Sequence, residues 1–237
     1  MRNVRFANTE RVPASTLAAE PTPWVADDPV ARCLLRRAQG AFQKWPEGFR
    51  GFRALVRGET TAGAVSGVIS VASPSHIQVE CSDALVFGRL EDLLRTLVEQ
   101  RMPRFFDEGD GRFPVTFASA PADAHGRAID VHAPATALRY WVDAAIRIRR
   151  IERVARGRRV VTTFDEIVRA TPGRVLPART TISTWDLGSG IMLGSETVDD
   201  RHRRVEHTWL PLSRRIAVST ADGAPSITLS IEDHQLL

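Results

Sequence analysis

The groups in this chain best suited to proton chemistry are its histidines and the carboxylates beside them. The six are His76, His125, His132, His202, His207 and His234. None stands in an HxxxH or HExxH arrangement, so no pair is set one helical turn apart to share a metal, and no metal site is expected. His76 alternates with Gln78 and Glu80 and is expected to face water. His125, in Ala124-His125-Gly126-Arg127, and His202, in Asp199-Asp200-Arg201-His202-Arg203, fall in runs that read as solvated loops or turns. His132, His207 and His234 hold more interest. Glu206-His207-Thr208-Trp209 puts His207 and Trp209 on one face if the segment is extended. Glu232-Asp233-His234 ends the last strand pattern. Were His207 and His234 to meet in a cavity, one imidazole could act as general base with a carboxylate orienting it, and Asp165 and Glu206 are the further acid–base candidates. Local hydrogen bonding of each histidine is the simpler account.

No nucleophile or cofactor signature accompanies them. There is no GxSxG, GxGxxG or P-loop, so no cofactor is expected. Gly188-Ser189-Gly190 reads as a hairpin turn, because no helix N-terminus follows it to hold a phosphate. Tyr140, Trp141, Trp185 and Trp209 fall in strand patterns. Adjacent Tyr140 and Trp141 must point to opposite faces of an extended chain. Core packing accounts for most of these rings. The alternative is that they line an apolar ligand pocket, with Arg215 as a polar group at its rim. The densest charge is the run Arg147, Arg149, Arg150, Arg153, Arg156, Arg158 and Arg159, partly offset by Glu152, Asp165 and Glu166. It reads first as a solubilising face with cross-strand ion pairs, and second as a mouth for a carboxylate or phosphate. In LPLSRRIAVST, residues 210–220, the two arginines mark an exposed strand end.

The elements that must position these groups follow from pattern and punctuation. The 237 residues, 43% apolar and 25% charged, suffice for a packed core and exclude wholesale disorder. The net charge of +4 is carried by arginine, with Lys44 the only lysine, and is spread along the chain rather than gathered, so no nucleic-acid partner is expected. No stretch approaches the roughly 18 apolar residues of a membrane span. The first 28 residues lack the apolar core of a signal peptide. The expectation is a soluble cytoplasmic protein with a loose arm over 1–28 and a single domain over 29–237.

Asp28 is a good N-cap and Pro29 suits the first helical position. Val30, Cys33, Leu34, Ala38 and Phe42 then give one apolar helix face, ending before Trp45-Pro46. Three strands follow, with Phe52, Ala54 and Val56, then Val65, Gly67, Ile69 and Val71, then Ile77, Val79 and Cys81 inward. The turns fall at Glu59–Gly63 and Pro74-Ser75. Val86, Leu90, Leu93, Leu94, Leu97, Val98 and Phe105 predict a second helix that Pro103 bends or ends. Ten strands are then predicted, over 113–118, 128–132, 137–142, 145–155, 160–170, 178–185, 191–198, 204–211, 214–220 and 226–232. Their clearest turns are Thr171-Pro172-Gly173, Leu187–Gly190, Asp199-Asp200 and Asp222-Gly223. Residues 143–157 fit either a capped helix or a strand bulged near Arg149-Arg150, and the strand is preferred because its neighbours are strands. Cys33 and Cys81 read as small buried hydrophobes, with a disulfide between them left open.

The stretches ARCLLRRAQGAFQKWPEGFRGFRALV, GVISVASPSHIQVE, LPLSRRIAVST and LSIEDHQLL resemble a bacterial family described as domain of unknown function 3386, over about residues 29–237. That resemblance implies no activity and carries over no catalytic residue. A second likeness, on Gly51, Phe52, Ala54, Gly67, Ile69, Val71, Pro74 and Val79, is to the lipoprotein carriers of the outer-membrane sorting system. It implies an open half-barrel covered by helices, with a cavity for acyl chains. Those carriers are exported, whereas no export signal is read here.

The sequence therefore predicts an α+β fold: a large curved antiparallel sheet, an open half-barrel, with two amphipathic helices on its concave side. Its expected role is non-enzymatic binding of an apolar or amphipathic small molecule. The alternative is a cofactor-free isomerase, cyclase or hydrolase in the same cavity, and a third reading is docking of the arginine face on an acidic partner. No sequence feature names a protein partner.

Overall fold

The computed structural model describes residues 25–60, 63–73, 76–81, 84–219 and 226–237. The first helix, α1, spans Pro29–Gly40. The Asp28 carboxylate accepts from the Val30 N–H at 2.8 Å and the Ala31 N–H at 3.1 Å, and Pro29 opens the helix as predicted. The buried stripe is Ala31, Leu35 and Ala38, whereas Val30 and Cys33 are exposed, so the apolar face is turned from the predicted one. Ala31 and Ala38 stand two turns apart with Leu35 between them, and all three pack into one cluster with residues of the sheet. Cys33 is a free, exposed thiol, which corrects its reading as a buried hydrophobe.

Twelve strands form one sheet. They are β1 (Phe52–Thr60), β2 (Gly63–Ser73), β3 (His76–Cys81), β4 (Val115–Phe117), β5 (Arg127–Ala133), β6 (Thr136–Val142), β7 (Ile148–Ala155), β8 (Arg158–Thr171), β9 (Arg174–Asp186), β10 (Met192–Val205), β11 (Thr208–Ser219) and β12 (Ser226–Leu236). The order is β3-β2-β1-β12-β11-β10-β9-β8-β7-β6-β5-β4, with every described pairing antiparallel. The first and last strands of the chain pair as the third and fourth of this order, and β3 and β4 lie at its two edges. The sheet stays open as a half-barrel, with both helices on its concave side.

Two separate cores result. The second helix, α2 (Ala84–Arg101), buries Leu94 and Val98 against Phe52, Val56, Ile69 and Val71, with Trp45 and Ile231 in the same cluster. Pro103 does end this helix. Phe105, predicted on its apolar face, is exposed, and Phe106 is buried in its place. The other cluster joins Ala31, Leu35 and Ala38 to Phe106, Ile129, Val131, Tyr140 and Phe164.

Residues 143–157 are turn and strand, so the helical alternative is excluded. Asp143 braces the turn by accepting from the Ala145 N–H at 2.9 Å and the Arg147 N–H at 3.0 Å. Opposite β6, Trp141 pairs with Arg150 and Val142 with Ile148, leaving Arg149 as the bulge. Two predicted breaks are absent. β10 runs unbroken through Asp199-Asp200, and β11 runs unbroken through Ser213. The turns read at Pro74-Ser75 and Asp222-Gly223, and the arm over 1–24, lie outside the described residues.

Replacing Asp28 by Ala is expected to cost about 1 kcal/mol through the lost cap. Leu35→Ala should cost about 2–5 kcal/mol, while Val30→Ala changes stability by less than about 0.5 kcal/mol. Urea titration of the three variants checks that α1 faces the sheet through residue 35 and not residue 30.

Candidate functional site

The concave face of the central strands is polar where a core would be apolar. Asp200 on β10 and Arg214 on β11 are register partners, and both are buried. Arg214 grips the carboxylate with two bonds, Nε to Oδ1 and Nη2 to Oδ2, each 2.7 Å. Such a fork is the strongest pairing a guanidinium makes. It corrects the view of Arg214 as an exposed strand end and of Asp200 as a turn residue. Arg215 does face solvent.

Beside this pair lies Arg101, the last residue of α2, with only 2% of its surface exposed. It continues the stripe Leu94, Leu97, Val98 at helical spacing, a guanidinium at a core position. Arg101 Nη2 donates to His202 Nε2 at 2.6 Å, so His202 is the neutral tautomer with its proton on Nδ1. Burial, reinforced by the Arg101 charge, lowers the His202 pKa to about 3. Burial likewise lowers Arg101 to about 10, opposed by the attraction of Asp200. His202 is thus a half-buried strand residue, not part of a solvated turn.

The connection from α1 to β1 closes over this end of the sheet. The Trp45 N–H donates to the Arg101 carbonyl at 2.8 Å, and Trp45 Nε1 donates to the Trp209 carbonyl at 3.0 Å. Lys44 Nζ donates to the Gln100 carbonyl at 2.6 Å. Burial first, then the charges of Arg101 and Arg104, lower the Lys44 pKa to about 8. His234 Nε2 donates to the Pro211 carbonyl at 2.8 Å, and its ring lies 5.7 Å from that of Phe52. Burial lowers its pKa.

The residues singled out by sequence are dispersed. Glu206 and His207 form the exposed turn between β10 and β11, with Glu206 at φ 52°, so His207 does not share a strand with Trp209. Asp165 is an exposed bulge on β8 that accepts from Thr181 Oγ1 at 2.7 Å. Among the described residues, no hydrogen bond or ion pair joins any two of His207, His234, Asp165 and Glu206. Tyr140 is in the α1 core, its hydroxyl donating to Asp110 Oδ2 at 2.6 Å, and both burial and Asp110 raise its pKa. Trp141 faces the other way, under Arg150 at 4.5 Å and Arg139 at 5.9 Å. Trp185 lies under Arg159 at 5.4 Å. Glu152 accepts from Arg150 at 3.2 Å and Arg159 at 2.9 Å, so much of the arginine run is internally paired. Trp209 alone of the four rings adjoins the Arg101 cluster. An open groove of about 540 Å³ on the outer face, between Arg57, Glu59, Ser66 and Thr228, holds none of these candidates. Among the described residues, no group of three or more His, Cys, Asp or Glu is placed to hold a metal ion, and no helix is long and apolar enough to cross a membrane.

Removing one partner of the buried pair should be severe, and removing both much less so. Asp200→Ala is expected to cost about 3–5 kcal/mol, and the double change to Asp200→Leu with Arg214→Met to recover most of it, read by urea denaturation. His202 gives a pH signature. An unfolded histidine titrates near 6.5, whereas this one stays neutral down to about 3. Between those values the unfolded chain holds a proton that the fold does not, so stability falls as pH drops from about 6.5. In His202→Gln, the loss of melting temperature between pH 7.5 and pH 5 should be smaller than in the parent.

No curated protein matches the chain. Among solved structures, a chain of the Pseudomonas aeruginosa MucA/MucB complex aligns over 86% of this chain and 93% of that one, at 13% identity and a TM-score of 0.24. That similarity is too low to bear on fold or partner. The family model described as protein of unknown function (DUF3386) matches residues 26–237. With nearly the whole chain matched, the protein belongs to the DUF3386 family.

Proposed function

We propose that this protein is a non-enzymatic binding module that holds an apolar or amphipathic small molecule against the concave side of its sheet. One observation carries the reading: burial stops partway along the central strands. The row Phe164, Thr180, Val198, Ile216 and Ile227 crosses from β8 to β12 and is buried throughout. Two residues towards the β9–β10 turn, in the row Thr162, Ile182, Glu196 and Val218, three are only half-buried and Glu196 is exposed. Val160 and Thr184 beyond it are also half-buried. The turn at this end carries exposed Leu187 and Ile191, and the start of β10 carries exposed Leu193, whereas exposed Met192 is the register partner of Trp185 on the convex side. An apolar shelf of this kind, with a few polar groups and the exposed Arg158 nearby, suits a small greasy guest. The acid–base alternative lacks a comparable gathering, since its four candidates share no hydrogen bond.

Titration with a neutral fluorescent apolar probe tests the reading, supported by native mass spectrometry for a copurifying guest. Ile182→Arg is expected to weaken probe binding by about tenfold or more while moving the melting temperature by less than about 3 °C. Equal binding by parent and variant would remove the shelf as the site.

A further inference from the structure

Among the described residues, six buried side-chain nitrogens lack a hydrogen-bond partner, and four of them belong to Arg101, His202, Trp209 and His234. These four side chains belong to one end of the fold. Arg101 bonds His202, His202 is the register partner of Pro211, and the Pro211 carbonyl takes the His234 proton. Trp45 ties the Arg101 main chain to that of Trp209. Given the tautomers these bonds require, three of the open nitrogens are donors: Arg101 Nε, His202 Nδ1 and Trp209 Nε1. Native folds rarely leave buried donors without acceptors.

The charge is unbalanced in the same place. Both oxygens of Asp200 are engaged by Arg214. Among the described residues no carboxylate forms an ion pair with Arg101; Asp200 attracts it from beyond contact, but that one carboxylate faces four cations, Arg101, Arg214, Lys44 and Arg104, at this end of the fold. A guanidinium removed from water needs a counter-charge. We infer that the junction of the α2 C-terminus, the α1–β1 connection and the β10–β11 strands is an anion-binding site, in which Arg101 Nε–H is the principal donor to a carboxylate or phosphate oxygen. Lys44 and His202, both only half-buried, are the members of this cluster that meet solvent. The site is distinct from the apolar shelf. Along β10 it lies at residues 200–202, beyond the buried Val198, whereas the shelf lies at residues 194–196.

The experiment measures melting temperature and calorimetric binding of the full chain at constant ionic strength in chloride. Added in turn are inorganic phosphate, acetate, decanoate and decyl phosphate below their micellar concentrations, with decanol as the neutral control. At least one oxyanion should raise the melting temperature of the parent, and Arg101→Gln should abolish that rise. A response to inorganic phosphate or acetate identifies a free anion. A response confined to decanoate or decyl phosphate, with none to decanol, identifies an amphiphile headgroup. Without added anion, Arg101→Met should be as stable as the parent or more so, whereas a purely structural arginine would make it less stable. If Arg101→Gln does not fold, Lys44→Gln should still weaken oxyanion binding several-fold. No response to any oxyanion, or an equal response in the variants, overturns the proposal and leaves water as the acceptor. Neutral-probe binding by Arg101→Gln reports on the shelf separately, so the two readings fail independently.

Discussion

Two helices cannot cover one face of twelve strands. Strands lie about 4.8 Å apart and a helix with its side chains is about 10 Å across, so a flat sheet of this size would present over 50 Å of width to about 20 Å of helix. The molecule answers by curving and by dividing its core. One helix serves β1–β3 and β12, the other serves β4–β7 with Phe164 of β8, and the buried apolar residues form two clusters rather than one. The α1–β1 connection bridges them at one end. The Gln43 N–H donates to the Val175 carbonyl at 2.7 Å, the Val175 N–H donates to that of Ala41 at 2.8 Å, and Phe42 packs 5.2 Å from Phe164. At the other end of the central strands no described element performs that service, and the half-exposed shelf is the consequence.

The same shortage of cover explains why the centre of the concave face is polar. Thr180, Val198 and Ile216 are buried yet belong to neither apolar cluster, and the next inward positions are Asp200 and Arg214. A buried ion pair gains little net stability over apolar residues of equal volume, but losing its register costs a great deal. β10 and β11 carry few alternating apolar residues to fix their alignment. A slip of one residue would leave Asp200 opposite Arg215 or Ser213, and Arg214 without its fork. The pair thus supplies the specificity that hydrophobic patterning supplies elsewhere in the sheet.

This is also where the sequence stopped being legible. On β1 the inward Phe52, Ala54 and Val56 alternate with Arg53 and Arg57, and period two reads directly. On β10 the inward row Glu196, Val198, Asp200 and His202 is mostly polar, so Asp199-Asp200 resembles a turn although it lies mid-strand. The true turn at Glu206-His207 has no glycine or asparagine to mark it, and Glu206 takes the left-handed conformation itself. Pro211, in a central strand, adjoins an irregularity that leaves Leu212 unpaired, which is how a residue without an N–H is accommodated there. The Arg149 bulge could be read because the alternation visibly changes phase. The bulges at Asp165 and Asp233 interrupt patterns too polar to show one. The candidate site was missed for a related reason. A histidine among charges reads as solvated, and an arginine on an apolar helix stripe reads as a helix end. Leu94, Leu97, Val98 and Arg101 share one face, and that spacing was the available signal.

The convex side meets the opposite problem, apolar rings with no second layer to cover them. Tyr140 and Trp141 must diverge, and Tyr140 takes the core. Trp141 nonetheless has only 8% of its surface exposed, because Arg150 lies over its face and Arg139 near it. Arg159 covers Trp185 in the same manner, and Glu152 accepts from both covering arginines. Guanidinium is weakly hydrated and planar, so it shields an indole while keeping its own edge in water. Lysine would cover less area and bond less directionally. Part of the arginine density between 147 and 159 is therefore a cladding for tryptophan rather than a free electrostatic field. On the concave side the charge is placed differently: Arg101 is buried at a position where composition alone gives no hint of charge, within reach of Asp200 but without an ion pair of its own among the described residues.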